Sequence, residues 1–469
     1  MWLIVISCNN FVGQVKPLEE PPCTRNVFLR FATLHYGKRP RPTGRAGRYD
    51  SDSRGFGPSS SPERCLHVNC KQITIGSLNR ICNETKNEIA TEAGNRACGI
   101  YIHIPFCRSK CAYCDFYSIA SWDGALLMEY AERVRDEIRL VRQKYGKMYE
   151  KNGVSTVYFG GGTPSLLAPE AVERIINAAR AEFDMWPDAE ITIEANPGTV
   201  DFDKLRAYRE VGVNRLSLGA QSSLDRFLKP LGRIHTHADT VAAVEAARAA
   251  GFRNISIDAM VALPGQNVKD ALTDAEAFCA LRPEHLSVYE LTVAPGTPLA
   301  LANLQPPDED AAIEMMEAVY ACLARHGYRR YEISNWSLPG YESEHNRGYW
   351  LRRDYMGIGA GAHSFITGER LAHAANITQW MRDVANGRLV YDERNVICEG
   401  EAMFETLMLG LRMMDGVCLT DAITAAYGGK IKTFIEDGLA EICGGRLRLT
   451  GRGVWTHNAV CRALLEDDK

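Results

Sequence analysis

From Gly99 onward, short apolar, β-branched runs alternate with longer stretches that have helical periodicity. The short runs predict six strands, and the longer stretches predict the helices between them. The predicted strands are residues 100–104, 155–159, 191–194, 215–218, 256–261 and 285–291. The predicted helices are residues 126–145, 169–183, 202–211, 238–250 and 270–281. Six such units in series predict an α/β fold with a parallel sheet, either doubly wound or a full or partial barrel.

The pattern changes after residue 305. Helices are predicted over residues 309–326 and 398–414, and an irregular segment rich in Trp, Tyr and Gly lies between them at 331–365. The turn-rich stretch 439–450 contains Gly444-Gly445, which predicts a hairpin. The expected domains are a core over 97–305, an accessory segment over 306–390 and a small, mostly helical, winged-helix-like module over 391–469.

The first 96 residues lack this periodicity. They include a basic, proline-rich run at 38–42 and a Gly-, Ser- and Pro-rich patch at 53–62. Such composition seldom packs a core. Residues 1–96 are therefore predicted to be a disordered extension or the product of a mistaken translation start.

Composition narrows the class of protein. The chain has 469 residues and a formal net charge of −4, which does not favour nucleic acid as a partner. No apolar run approaches the roughly 20 residues that cross a bilayer, and the run at 2–6 is too short for a signal peptide. We expect a cytoplasmic protein without a transmembrane segment. These observations do not exclude peripheral contact with a membrane. Its 15 cysteines are expected to be free thiols or metal ligands.

Three of the cysteines stand close together, as Cys107-x3-Cys111-x2-Cys114, directly after the first predicted strand. Three soft thiolates at this spacing can hold a [4Fe-4S] cluster and leave its fourth iron open. The spacing alone leaves two alternatives. One is a zinc ion with His103 or a remote residue as its fourth ligand, and the other is three unligated thiols.

Glycines and polar residues follow the next predicted strands, where the chemistry of parallel α/β folds gathers. The glycine-rich turn 160–163 follows the second strand and lets backbone N–H groups approach a ligand closely. Each polar residue alone is as compatible with a structural role as with a functional one, but together they favour a ligand. These candidates are Glu194, Gln221, Arg233 and Asp258.

The cysteine motif, with Tyr113 before its last cysteine, resembles the signature of the radical-SAM superfamily. From about residue 99 to the C-terminus, the chain resembles the coproporphyrinogen III oxidase-like family, through stretches such as Gly-Gly-Gly-Thr-Pro-Ser and Glu-Ala-Asn-Pro. The resemblance implies a radical-SAM (β/α)6 partial barrel with a [4Fe-4S] cluster on the three cysteines. It also implies S-adenosylmethionine on the open iron, where one electron would release a 5′-deoxyadenosyl radical. The implied S-adenosylmethionine contacts are Tyr101, Gly161, Gly162, Thr163, Glu194, Gln221, Arg233 and Asp258.

That family has two branches, and two features favour the heme chaperone branch, HemW. The oxidase branch has a further cysteine two residues after the last ligand, where this chain has Phe116. The chaperone branch has a His-Asn-x-x-Tyr-Trp motif, which residues 345–350 match. The resemblance thus implies a heme chaperone. An active oxygen-independent coproporphyrinogen III oxidase is the alternative. The residues that it implies for heme are His345, Asn346, Tyr349 and Trp350.

The heme motif has suitable chemistry. A neutral imidazole can ligate heme iron, and aromatic rings can stack on a porphyrin, so His345→Ala is expected to weaken heme binding. The alternative is a surface turn that packs its aromatic residues back on the barrel. The expected partners are heme, heme-acceptor proteins and an electron donor such as a flavodoxin or ferredoxin.

Overall fold

The computed structural model describes residues 97–150 and 153–466. The predictions for residues 1–96 lie outside the described residues. The strands of the described ranges are β1 (Cys98–Ile104), β2 (Val154–Gly161), β3 (Met185–Ala195), β4 (Arg215–Gln221), β5 (Ile255–Val261), β6 (His285–Glu290), β7 (Arg329–Arg330), β8 (Asn335–Ser337), β9 (Tyr355–Ile358), β10 (His363–Ile366), β11 (Glu369–Ala372), β12 (Glu393–Val396), β13 (Val417–Cys418), β14 (Ala440–Cys443) and β15 (Arg446–Leu449).

The α-helices connect these strands and pack on the sheet. The helices of the described ranges are α1 (Gly124–Tyr145), α2 (Pro169–Glu182), α3 (Phe202–Glu210), α4 (Asp225–Leu228), α5 (His237–Ala249), α6 (Val268–Ala280), α7 (Pro298–Leu301), α8 (Glu309–Arg325), α9 (Glu344–Trp350), α10 (Ile377–Ala385), α11 (Glu399–Gly410), α12 (Asp421–Glu436), α13 (Gly451–Trp455) and α14 (His457–Leu465). Within that described part of the chain, no helix is both long enough and apolar enough to cross a membrane.

Strands β1 to β6 pair in parallel and in sequence order, with at least one helix after each of them. All seven residues of β4 are buried, as expected where helices cover both faces of a parallel sheet. The sheet is open, with the order β12-β11-β10-β9-β1-β2-β3-β4-β5-β6-β8-β7. The predicted α/β partial barrel is therefore confirmed, and the carboxyl ends of β1 to β6 meet at one rim.

The expectation of an irregular segment over residues 331–365 is wrong. This stretch contains β8, α9, β9 and β10. Strand β9 pairs in parallel with β1, and β8 pairs antiparallel with β6, so the segment extends the core sheet at both ends. Strands of three or four residues show too little alternation to be recognised in a Gly-rich stretch.

The C-terminal residues form a small module with its own core, which includes the buried Leu407, Ile431 and Leu447. Strands β13, β15 and β14 make a three-stranded antiparallel sheet beside helices α11 to α14. Gly444 and Gly445, with φ of 56° and 76°, form the two-residue turn between β14 and β15. The predicted hairpin is confirmed, and the mostly helical module fits the winged-helix-like expectation.

Candidate functional site

The glycine-rich turn after β2 fixes the start of the loop that carries the three cysteines. The Gly162 N–H donates to the Ile104 carbonyl at 2.9 Å, and the Thr163 N–H donates to the Phe106 carbonyl at 2.7 Å. A Cβ atom on Gly162 would lie 2.7 Å from the Phe106 oxygen and 2.9 Å from the Ile104 oxygen. Only glycine permits this close approach of the two backbones.

That loop brings Cys107, Cys111 and Cys114 to one cavity at the carboxyl rim of the sheet. All three side chains are partly exposed. Their three sulfur atoms do not all lie within 4.8 Å of one another. Two thiolates on one tetrahedral zinc ion lie about 3.8 Å apart, given Zn–S bonds of about 2.3 Å. A cluster, which spreads its ligands over several irons, fits this wider arrangement better than a single ion does.

Hydrogen-bond donors approach the cysteine sulfur atoms. The Arg233 guanidinium donates to Cys111 Sγ at 3.4 Å, and the Thr163 hydroxyl donates to Cys107 Sγ at 3.7 Å. Burial raises the pKa of Cys114 to about 11 and also raises the pKa of Cys107. Stable thiolates here need positive charge, which Arg233 supplies in part and metal would complete. The donor set therefore fits a [4Fe-4S] cluster.

Glu194 lies at the end of β3, beside the glycine-rich turn. Its carboxylate accepts from the Tyr158 hydroxyl at 2.8 Å and from the Gly161 N–H at 3.1 Å. Burial raises the pKa of Glu194. Gly161 has φ of 112°, and a Cβ atom there would lie 2.6 Å from the His103 ring. Glycine at this position therefore lets the turn meet the carboxylate.

Gln221 ends β4 in a conformation that side chains rarely adopt, with φ of 68°. The pairing of β4 with β5 shifts register between Gly219 and Gln221. The Tyr289 hydroxyl donates to the side-chain carbonyl of Gln221 at 2.8 Å. Such backbone strain concentrates at functional sites, where the surrounding structure holds it in place.

Asp258, on β5, faces the same cavity. The Ser217 hydroxyl donates to its carboxylate at 3.3 Å. Burial, and secondly the charge of Glu194, raise the pKa of Asp258 to about 7. Near neutral pH this carboxyl group is therefore partly protonated, and it can donate as well as accept a hydrogen bond.

Arg233 joins these elements through Asn196. One guanidinium nitrogen donates to the Asn196 side-chain oxygen at 2.5 Å and also to the Gly219 carbonyl. The Asn196 amide donates to the Thr163 hydroxyl at 3.0 Å. Sequence reasoning did not single out Asn196 as a site residue. The available signal was its place two residues after Glu194, at the same strand end.

One cavity of about 450 Å³ contains these residues. Seven of the eight predicted S-adenosylmethionine contacts line it, and Tyr101 does not. Tyr101 is buried, its hydroxyl lies 2.9 Å from His103 Nδ1, and its ring stacks on Tyr158 with centroids 6.2 Å apart. Tyr101 therefore supports the wall of the cavity from behind.

Known proteins share both parts of the chain. The sequence profile of the radical-SAM superfamily matches residues 101–278, and that of the HemN C-terminal domain matches residues 399–456. The heme chaperone HemW of Escherichia coli is 36% identical over 345 residues, which are 73% of this chain and 89% of that protein. The heme chaperone HemW of Lactococcus lactis is 33% identical over 379 residues, 78% of this chain and 97% of that protein. The chain belongs to the HemW family.

The fold of this HemW-family chain is also that of a solved relative. Coproporphyrinogen III oxidase (HemN) from Escherichia coli, described as a radical SAM enzyme, matches with a TM-score of 0.68 and 21% identity. The match covers 81% of this chain and 93% of that one. At this identity the likeness shows the shared fold. The radical-SAM domain of HemW-family proteins implies a [4Fe-4S] cluster and S-adenosylmethionine as cofactors.

The His-Asn-x-x-Tyr-Trp motif of this HemW-family chain forms α9, and its residues face two ways. Asn346 and Trp350 line the cavity, whereas His345 and Tyr349 lie outside its lining. The two ring nitrogens of His345 lie 2.7 Å from the Thr156 hydroxyl and 2.8 Å from the Tyr349 hydroxyl. Burial lowers the pKa of His345 well below its usual value, so the ring is neutral. To reach a heme iron, the imidazole would have to give up one of these hydrogen bonds.

Four residues that line the cavity each have a buried N–H group without a hydrogen-bond acceptor among the described residues of this HemW-family chain. The groups are the indole N–H of Trp350 and the Nε–H groups of Arg215, Arg233 and Arg412. Each unsatisfied donor costs about 1–3 kcal/mol unless a ligand supplies an acceptor. Arg412 also lies over the Trp350 ring, 4.4 Å from its centroid. Sequence reasoning missed Arg215 and Arg412, which belong to no motif and reach the cavity only through the fold.

Proposed function

We propose that this protein is a radical-SAM heme chaperone, which binds heme and transfers it to acceptor proteins in the cytoplasm. Two relatives that cover most of this chain carry the name heme chaperone. The observation that carries the proposal is the part of the cavity beside α9, where the buried N–H groups of Trp350 and Arg412 have no acceptor among the described residues. Heme offers propionate acceptors and a flat apolar face, which suit these donors and the aromatic wall beside them.

In this proposal, the strand-end half of the cavity holds the cofactors. Cys107, Cys111 and Cys114 bind the cluster, which supplies the electron for radical chemistry when it is loaded. Arg233 holds Cys111 and offers its unpartnered Nε–H to a carboxylate, and Glu194 accepts from hydroxyl or ammonium groups. An electron donor such as a flavodoxin or ferredoxin would reduce the cluster.

The α9 half of the cavity then receives heme. Asn346 and Trp350 contact it directly, and Arg412 pairs with a propionate. Part of the Arg412 charge is already balanced by Glu332, whose carboxylate lies 3.2 Å away. His345 and Tyr349 position the helix from its buried side, where they bond to each other and His345 bonds to Thr156. In the heme motif, two residues thus contact heme and the other two hold the helix in position.

Phe116 supports a chaperone over an oxidase. Phe116 lines the cavity, and it stands at the position where the resembling oxidases have a further cysteine. A phenyl ring can neither ligate metal nor donate a hydrogen atom as a thiol does. Oxygen-independent coproporphyrinogen III oxidase activity is the alternative function, and the experiments with heme must exclude it.

Replacing Trp350 with phenylalanine tests the heme-binding half. The change keeps an aromatic ring but removes the unpartnered N–H, so we expect the heme dissociation constant to rise about 10-fold, as for loss of one hydrogen bond to a charged group. Heme titration of the reconstituted protein, followed by absorbance, measures this. The matched control is Trp336→Phe, since Trp336 also has a buried indole N–H without an acceptor among the described residues but does not line the cavity.

A second variant in the same titration separates positioning from iron ligation. His345→Gln keeps a hydrogen-bonding side chain, so we expect the heme absorption spectrum to stay unchanged. His345→Ala removes both hydrogen bonds and is expected to weaken heme binding through the displacement of α9. Equal heme affinities for the wild type and Trp350→Phe would contradict the assignment of heme to this cavity. An altered heme spectrum in His345→Gln would identify the His345 imidazole as the ligand of the heme iron.

A further inference from the structure

A second group of metal-ligating side chains lies apart from the cavity. Cys279, near the end of α6, faces Cys322 and His326, at the end of α8. One ligand atom from each of the three lies within 4.8 Å of the other two. Among the described residues, no other group of three His, Cys, Asp or Glu side chains meets this criterion. None of the three lines the cavity described above.

Helical spacing explains how two helices assemble this group. Cys322 and His326 are four residues apart and therefore face the same side of α8. Glu276 and Cys279 are three residues apart on α6, so they form a matching pair. The Glu276 carboxylate lies 2.8 Å from His326 Nε2 and accepts from the Arg325 guanidinium at 3.4 Å. Three potential ligands from two packed helices thus converge, and Glu276 lies beside one of them, His326.

The three side chains of the group differ in their exposure to solvent. Cys279 and Cys322 are buried, whereas His326 is exposed. Solvent therefore reaches the group from the His326 side. Burial, and secondly the partner cysteine, raise the pKa of Cys279 to about 12, and burial raises the pKa of Cys322 to about 11.

We propose that Cys279, Cys322 and His326 bind one zinc ion, with Glu276 or water as the fourth ligand. Two thiolates and an imidazole are ligands that zinc prefers. Tetrahedral zinc places two sulfur atoms about 3.8 Å apart, which the 4.8 Å limit accommodates. Binding releases the two thiol protons to solvent and changes no oxidation state.

The ion would join α6 of the strand-bearing core to α8, the first helix of the predicted accessory segment. Helix α8 leads into β7 and β8, which extend the sheet beyond β6. The proposed role is therefore to fix the far end of the open sheet. This role is independent of heme binding and of the cysteine cluster.

Elemental analysis of the full chain tests the site. The protein, with its iron-sulfur cluster reconstituted, is incubated with zinc, desalted and assayed for zinc and iron per chain. We expect one zinc ion per chain beyond the iron. Cys322→Ser and His326→Gln are each expected to lower zinc affinity at least about 10-fold in competition with a chelator. His326 is exposed, so His326→Gln keeps the test valid if the buried cysteine variant fails to fold.

The control is Cys461→Ser. Cys461 also lies four residues from a histidine, His457, but has no third ligand nearby among the described residues. Its zinc content should equal that of the wild type. X-ray absorption at the zinc edge should show two sulfur atoms at about 2.3 Å and lighter ligands at about 2.0–2.2 Å. Three sulfur ligands, zinc at background level, or a Cys279–Cys322 disulfide in anaerobically purified protein would each overturn the proposal.

Discussion

Replacing Gly162 with alanine is expected to destabilise the fold by about 3 kcal/mol and to prevent stable retention of the iron-sulfur cluster. The added Cβ would lie 2.7 Å from the Phe106 carbonyl oxygen and 2.9 Å from the Ile104 carbonyl oxygen. Both contacts are to backbone, so no side chain can rotate away. To relieve them, the turn must break its hydrogen bonds to the loop that leads into Cys107.

Two measurements check this expectation. Urea unfolding gives the loss of stability, and iron content after anaerobic reconstitution gives the retention of the cluster. Gly400→Ala is the matched control, because a Cβ at Gly400 in α11 meets no atom within 4 Å. Wild-type iron content in Gly162→Ala would show that the turn does not hold the cysteine loop.

Replacing Arg233 with glutamine is expected to lower the affinity for S-adenosylmethionine about 10- to 100-fold, the usual range for hydrogen bonds to charged groups. The guanidinium donates to Cys111, Asn196 and Gly219, and its Nε–H has no acceptor among the described residues. These three bonds fix the position of the guanidinium, and Arg233 lines the cavity. Glutamine removes the charge and cannot reproduce this geometry.

Equilibrium dialysis with the reconstituted protein measures the Arg233 effect. Arg233→Lys keeps the charge but loses the planar fork, so it should bind with intermediate affinity. Arg248→Gln is the control, since that arginine pairs with Glu284 at 2.9 Å and does not line the cavity. Unchanged affinity in Arg233→Gln would remove this residue from the cofactor site.

The sequence predicted the core well because its six strands are buried and flanked by amphipathic helices. The predicted strand at residues 256–261, for example, is β5, Ile255–Val261. The sheet extensions were missed for a physical reason. Strand β9 has four residues, and its place beside β1 depends on pairing with residues some 250 positions earlier in the chain. Such pairing leaves no local periodicity.

The candidate site was predictable where it follows strand ends. Glu194 and Gln221 stand at the ends of β3 and β4, and both reach the cavity. The orientation of the heme motif was not predictable, because the two faces of the seven-residue α9 carry equally plausible side chains. Only the packing against Thr156 shows that His345 points away from the cavity. Contact of His345 and Tyr349 with heme stays a prediction from the motif, whereas the proposed function gives both residues a positioning role.

Parallel incubation of the anaerobically reconstituted protein with heme and with coproporphyrinogen III tests the central claim most directly. The second reaction also contains S-adenosylmethionine and a reductant. The proposed function predicts that heme binds at about one per chain and passes to an added heme-free acceptor protein, while no vinyl-bearing porphyrin product accumulates. Turnover of coproporphyrinogen III to such a product, without stable heme binding, would contradict it.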